Sequence, residues 1–188
     1  QYRKDAGDIF HTNTLEILDG RAVDRLGSDF AAGHYLISMR ELGLIAVVDP
    51  VEGEVVWAMS GMWKAQHQPT LLDEGTIMLF DNQGQGGRSK VIEFDPLTQE
   101  VLWSYADGPG SSLYSHTCGS NQRLPGGNTL SPESDNGRAL EVTPEGRIVW
   151  EFRNPQRTGP RKEFIAAIMD MEVLPEGYTD GWLTKPDM

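Results

Sequence analysis

Tryptophan recurs at a nearly fixed interval in this chain, and the interval restricts the folds open to it. Trp57, Trp103 and Trp150 close three similar segments: Gly53-Glu54-Val55-Val56-Trp57, Gln99-Glu100-Val101-Leu102-Trp103 and Gly146-Arg147-Ile148-Val149-Trp150. The spacing is 46 residues from 57 to 103 and 47 from 103 to 150. Self-similarity at this period marks a repeat architecture, in which each unit buries its apolar face only against its neighbours. A residue that recurs in every unit packs; it does not report a site. The tryptophans are therefore expected between units.

Upstream of each Trp lies a strand running into a turn: Val47-Val48-Asp49-Pro50, Ile92-Glu93-Phe94-Asp95-Pro96 and Leu140-Glu141-Val142-Thr143-Pro144. Proline presets φ there and ends the strand. Before these come Tyr35-Leu36-Ile37-Ser38, Thr76-Ile77-Met78-Leu79-Phe80 and Asn128-Thr129-Leu130. Each unit opens with a strand ending in Leu and a Gly turn: Leu18-Asp19-Gly20, Leu72-Asp73-Glu74-Gly75 and Leu124-Pro125-Gly126-Gly127. Four short β-branched and aromatic strands per unit, with no long helical periodicity, predict an all-β chain of four-stranded antiparallel blades, a β-propeller. The units fall at about residues 9–59, 66–105, 117–152 and 167–188. The last begins at Met169-Asp170-Met171-Glu172-Val173, with Gly181-Trp182-Leu183 as its second strand, so about three and a half blades are present. Residues 1–188 then form one partial propeller domain. Propellers close with roughly four to eight blades, so the arc calls for further blades or a partner chain beside it.

The formal charge of −12, from 28 acidic and 16 basic residues, argues against general nucleic-acid binding. An anionic substrate would need a locally positive pocket. Cys118 is the only cysteine, so neither an internal disulfide nor a cysteine zinc site can form. Asp81-Asn82-Gln83-Gly84 and Glu133-Ser134-Asp135-Asn136-Gly137 do not follow a twelve-residue calcium loop and read as turns. No metal and no cofactor is expected.

Departures from the repeat point to the site. Counted back from the closing Leu of each opening strand, His67 lies five residues before Leu72 and His11 seven before Leu18. An offset of two puts them on one strand face. The third unit has Gly119 and Thr117 at those places. Opening strands are innermost in a propeller, so both histidines are expected to face the central channel. Arg40, at the end of Ser38-Met39-Arg40, adds a cation whose forked donors suit sulfate or phosphate. His34 reads as surface. His116 stands just before the third opening strand, and a Cys118/His116 nucleophile pair lacks an orienting third residue. The stretch from Arg21 to Gly33 reads as an insertion between the first two strands.

The ordered set His11-Thr12-Asn13, Ser38-Met39-Arg40, Gln66-His67-Gln68 and Leu79-Phe80-Asp81-Asn82 resembles the bacterial arylsulfate sulfotransferase family. Asn121-Gln122-Arg123-Leu124-Pro125-Gly126-Gly127-Asn128 and Glu141-Val142-Thr143-Pro144-Glu145-Gly146 resemble that family's later blades. The resemblance covers roughly residues 8–153. It implies a six-bladed propeller that moves a sulfuryl group from an aryl sulfate to a phenol by a ping-pong route, in the periplasm or outside the cell. It implies His67 as the sulfated nucleophile, His11 and Arg40 as ligands of the sulfonate oxygens, and Asn13 as a substrate-binding helper. The chain departs from the family pattern in lacking an earlier active-site histidine and a second cysteine. The competing reading is a non-catalytic propeller segment used for binding or assembly. A quinoprotein dehydrogenase finds no supporting residue set.

Overall fold

The structure, a computed structural model, describes residues 7–108 and 111–180. Each Trp-terminated unit folds as a four-stranded antiparallel meander. The first holds β1 (Thr12–Ile17), β2 (Tyr35–Met39), β3 (Leu44–Asp49) and β4 (Glu54–Ser60). The second holds β5 (His67–Leu71), β6 (Ile77–Gln85), β7 (Arg88–Phe94) and β8 (Val101–Tyr105), followed by a short pair, β9 (Asp107–Gly108) and β10 (Ser111–Ser112). The third holds β11 (Gln122–Arg123), β12 (Thr129–Glu133), β13 (Arg138–Val142) and β14 (Ile148–Arg153); a small hairpin, β15 (Arg157–Thr158) and β16 (Phe164–Ile165), follows. These are three blades of a propeller, and the ring does not close within the chain.

The repeat extends to single hydrogen bonds. In the first blade the Asp49 carboxylate accepts the amides of Val51 and Glu52 at 2.8 and 3.2 Å. In the second, Asp95 accepts those of Leu97 and Thr98 at the same two distances. The recurrent Asp-Pro thus encodes a side-chain-stabilised turn between the third and fourth strands. Past that turn the register shifts once in every blade, beside the pairs Val47–Trp57, Glu93–Trp103 and Glu141–Trp150. A bulge here increases local twist, as radial blades require.

Two apolar cores lie between blades. The first joins Leu36, Ile45 and Val47 of blade one to Ile77, Leu79 and Phe94 of blade two, with Trp57 packed on it. The second joins Met78, Phe80 and Val91 to Leu140 and Val142 of blade three, with Trp103 packed on it. The Trp103 indole also donates to the Pro144 carbonyl at 2.8 Å, so it bridges blades by packing and by hydrogen bond. The stretch after β1 folds into one helical turn, α1 (Val23–Leu26), and a 3₁₀ turn, Ser28–Phe30. It buries Ala22, Leu26 and Phe30 in the first core, and Phe30 meets Trp57 at 5.3 Å between ring centroids. Arg25 ties it to blade two through the Gly75 carbonyl and the Asp95 carboxylate.

The two ends of the arc differ from the interior. Leu15 and Ile17 of β1 are 55% and 63% exposed, and Trp150 of β14 is 44% exposed, stacked on Phe152. Trp150 therefore occupies the packing position of Trp57 and Trp103 with no blade against it. The opening segment of the fourth unit forms no sheet ladder among residues 169–180. Val173 instead exchanges two hydrogen bonds with the Gln122 side chain, at 2.8 and 3.2 Å. The expected strand at Gly181-Trp182-Leu183 lies outside the described residues.

Candidate active site

The inner edge of each blade is a strand with unpaired backbone groups, and the neighbouring blade supplies side chains to them. Asn13 donates to the Gln66 carbonyl at 2.9 Å. The Gln68 amide donates to the Thr14 hydroxyl at 3.0 Å, and the Leu71 amide to the Glu16 carboxylate at 2.9 Å. Gln68 passes the pattern on: its side-chain oxygen and its carbonyl accept from Asn121 of blade three. The Gln66 amide, fully buried, donates to the Ser38 hydroxyl and to the carbonyls of Met39 and Leu44. Leaving such a buried group unpaired costs about 1–3 kcal/mol, so these bonds fix how β5 sits against blade one. His67 lies between Gln66 and Gln68 and inherits that placement.

Three of the four residues selected from the sequence converge. His11 and Arg40 face each other across the end of the β1–β2 pair, with the Arg40 amide donating to the His11 carbonyl at 3.1 Å. Arg40 begins a 3₁₀ turn, Arg40–Leu42, and its guanidinium pairs with the Glu41 carboxylate. Arg40 and His11 both act electrostatically on His67. Burial holds the His67 imidazole below its ordinary pKa; the Asn82 hydrogen bond opposes this, Arg40 reinforces it, the Ala65 bond opposes it and His11 reinforces it. His67 is accordingly neutral at neutral pH. The Asn13 amide donates to the Gln66 carbonyl and so fastens the His67 strand.

His11 lies outside β1, off the strand face that residue counting assigns to it. His11 stands just ahead of β1 with φ of +47°, and the register shifts between Thr12 and Thr14 and again between His67 and Thr70. Residue counting along a regular strand does not carry through two bulges. His11 is brought within electrostatic reach of His67 through its backbone pairing with Arg40 at the end of β1–β2. Positive φ at non-glycine residues is uncommon, and His11, Ala65, Gln68 and Cys118 share it around this end of the blades.

Sequence reasoning missed Asn82. Fully buried, it presents Oδ1 to His67 Nδ1 at 2.8 Å. Its amide nitrogen donates to the carbonyls of Ser115 and Cys118, at 2.8 and 2.5 Å. His67 Nδ1 also faces the Ala65 carbonyl at 3.2 Å. Its neighbour Asp81 accepts the amides of Lys64, Gln83 and Gly84, which makes Asp81-Asn82-Gln83-Gly84 a carboxylate-stapled turn. Among the described residues, no cluster of His, Cys, Asp and Glu is arranged to hold a metal.

The other histidines stand apart from this chemistry. His34, expected at the surface, is half-buried, held by the Asp29 carbonyl at 2.9 Å and 3.6 Å from the Asp49 carboxylate. His116 is exposed, on the loop whose carbonyls hold Asn82. No hydrogen bond joins the side chains of His116 and Cys118 among the described residues. A cleft of about 600 Å³ between blades two and three, lined by Thr70, Glu93, Asn121 and Arg123, includes none of His11, Arg40 and His67. Its cations Arg123 and Arg21 are paired to Glu93 and to Asp19 and Asp73.

Residues 1–155 match the model of the arylsulfotransferase (ASST) family. The chain belongs to the arylsulfotransferase family. No curated protein sequence matches it. Among solved structures it is similar to the WD40 β-propeller domain of Doa1 at 17% identity and a TM-score of 0.52, over 77% of this chain and 41% of that one. It is also similar to virginiamycin B lyase from Staphylococcus aureus at 14% identity and a TM-score of 0.51, over 80% and 43%. At such identities the likeness concerns the propeller fold alone. This arylsulfotransferase-family chain spans less than half the length of those propellers.

Proposed function

We propose that the protein transfers a sulfuryl group from an aryl sulfate to a phenol, with His67 as the transient carrier. The observation that carries this reading is a half-buried imidazole, its pKa held down by burial, within electrostatic reach of the Arg40 guanidinium and the His11 imidazole. In the first half-reaction a nitrogen of His67 attacks sulfur; the N–S bond forms as the S–O(aryl) bond breaks. The phenolate leaves and takes a proton from His11. In the second, the acceptor phenol gives its proton to His11 and attacks sulfur; the S–O bond forms, the N–S bond breaks and His67 returns neutral. Arg40 offers N–H donors to the sulfonate oxygens, whose charge shifts during both displacements. Aryl sulfates and phenols are the partners in this scheme, and a periplasmic or extracellular setting belongs to the same reading.

Arg40→Lys tests the binding part. The charge is kept and the fork of donors is lost, so kcat/KM for an aryl sulfate falls by about 10²-fold. Release of a coloured phenol measures it. A lysine variant as fast as the parent rules out forked recognition.

Completing the channel requires further blades, and the exposed Leu15, Ile17, Trp150 and Phe152 are the surfaces they would cover. Exposed apolar sheet faces of this kind drive association. The 188-residue chain by itself is expected to self-associate in sedimentation velocity. A monodisperse monomer at micromolar concentration contradicts the need for added blades and strengthens the alternative of a free-standing binding segment.

A further inference from the structure

We infer that Asn82 is a positioning residue that fixes His67 as the Nδ1–H tautomer, so that Nε2 is the atom that takes the sulfuryl group. The inference rests on the sulfuryl-transfer reading for its consequence but not for its geometry.

The assignment follows from which atoms can donate. The carbonyls of Ser115 and Cys118 only accept, so the Asn82 atom facing both of them is the NH₂ group. Its oxygen must then face His67. That oxygen and the Ala65 carbonyl are both acceptors, so His67 Nδ1 carries the hydrogen. A flipped amide would set oxygen against two carbonyl oxygens and NH₂ against an N–H. The loop of residues 115–118, which comes from blade three, thereby decides which nitrogen of a blade-two histidine has the lone pair.

An amide suits this place better than a carboxylate. Attack by Nε2 on the donor forms the N–S bond and leaves Nδ1–H in place, giving a cationic ring bearing the sulfonate. When the acceptor attacks, the ring departs as neutral imidazole, a good leaving group. An amide oxygen holds Nδ1–H without competing for its proton. A carboxylate would favour the doubly protonated ring in the resting enzyme and so remove the nucleophile. The titratable and charged groups around His67 are Arg40, paired with Glu41, and His11 on the blade-one side. Blade three adds His116 and Cys118 on the loop. Asp81 is turned to the amides of its own turn and to Lys64.

Two variants test this in the full protein. Nitrogen-15 shifts of the His67 ring at alkaline pH should show Nδ1 protonated and Nε2 bare in the parent. In Asn82→Ala the ring should move to a mixture or to Nε2–H, with donor turnover reduced on the order of 10²-fold or more, as for a wrong tautomer. Asn82→Asp keeps the volume but turns a carboxylate oxygen toward the Ser115 and Cys118 carbonyls, so circular dichroism and urea titration first establish that each variant is folded. In Asn82→Asp the acid limb of the donor half-reaction should move to higher pH, since a facing carboxylate favours imidazolium. A parent ring protonated on Nε2, or an unchanged tautomer in Asn82→Ala together with an unchanged pH limb in Asn82→Asp, overturns the inference. If the tautomer shifts as stated while no variant or parent transfers sulfuryl groups, the positioning role stands and the sulfuryl-transfer reading fails.

Discussion

His67→Ala should abolish sulfuryl transfer, with turnover lower by on the order of 10⁴-fold or more. No other group at the site replaces it. His11 is exposed and paired across the strand end with Arg40 through the backbone, and the Cys118 thiol has no activating base hydrogen-bonded to it among the described residues. Brief exposure of the parent protein to an aryl sulfate without acceptor should leave one acid-labile sulfonate on the peptide containing His67, read by mass spectrometry. Adding a phenol should discharge it. The pH dependence has a definite sign: burial lowers the His67 pKa, so the neutral nucleophile persists to lower pH than for a free imidazole, and charging falls away below that point. A sulfonate on any other peptide, or full turnover in His67→Ala, removes this residue from the mechanism and leaves binding or assembly as the stronger reading.

Gly119→Ala should strongly destabilise the scaffold. Gly119 has φ of +126°, and a Cβ there would stand 2.6 Å from the ring of Phe80. Phe80 cannot retreat: it is fully buried in the second core and lies opposite His67 in the ladder. Backbone strain and overpacking together cost on the order of 3–5 kcal/mol. The insult also falls next to Cys118, whose carbonyl holds Asn82. Stability by urea titration and donor turnover should therefore fall together. Gly126→Ala is the control, because a Cβ there meets nothing within 4 Å. If the two variants unfold at the same urea concentration, the close packing of the loop on Phe80 is not what holds it.

The fold was legible because its signals are local and repeated. The Asp-Pro or Thr-Pro turns and the Gly turns act within a few residues, and every unit restates them at the Trp spacing. The insertion at 21–33 was visible as an interruption, but not its role, since burying Leu26 and Phe30 depends on a cavity formed by two blades. At the site, His67, His11 and Arg40 stood out as departures from the repeat. Asn82 did not, because a polar residue in an Asp-Asn-Gln-Gly stretch looks like turn chemistry. Its meaning lies in Ser115 and Cys118, more than thirty residues away, as the 33- and 36-residue separations of its two bonds show. Asn13 likewise has a role no local signal announces: its amide bonds Gln66, 53 residues away, and so fastens the strand that carries His67.

A bare strand edge usually invites another strand, and many proteins capture extended peptides that way. The channel-facing edge here is closed to that mode. The Gln66 carbonyl, the Gln68 amide and carbonyl and the Leu71 amide are already taken by Asn13, Thr14, Asn121 and Glu16. An extended peptide laid along β5 would meet side chains where it needs free backbone groups.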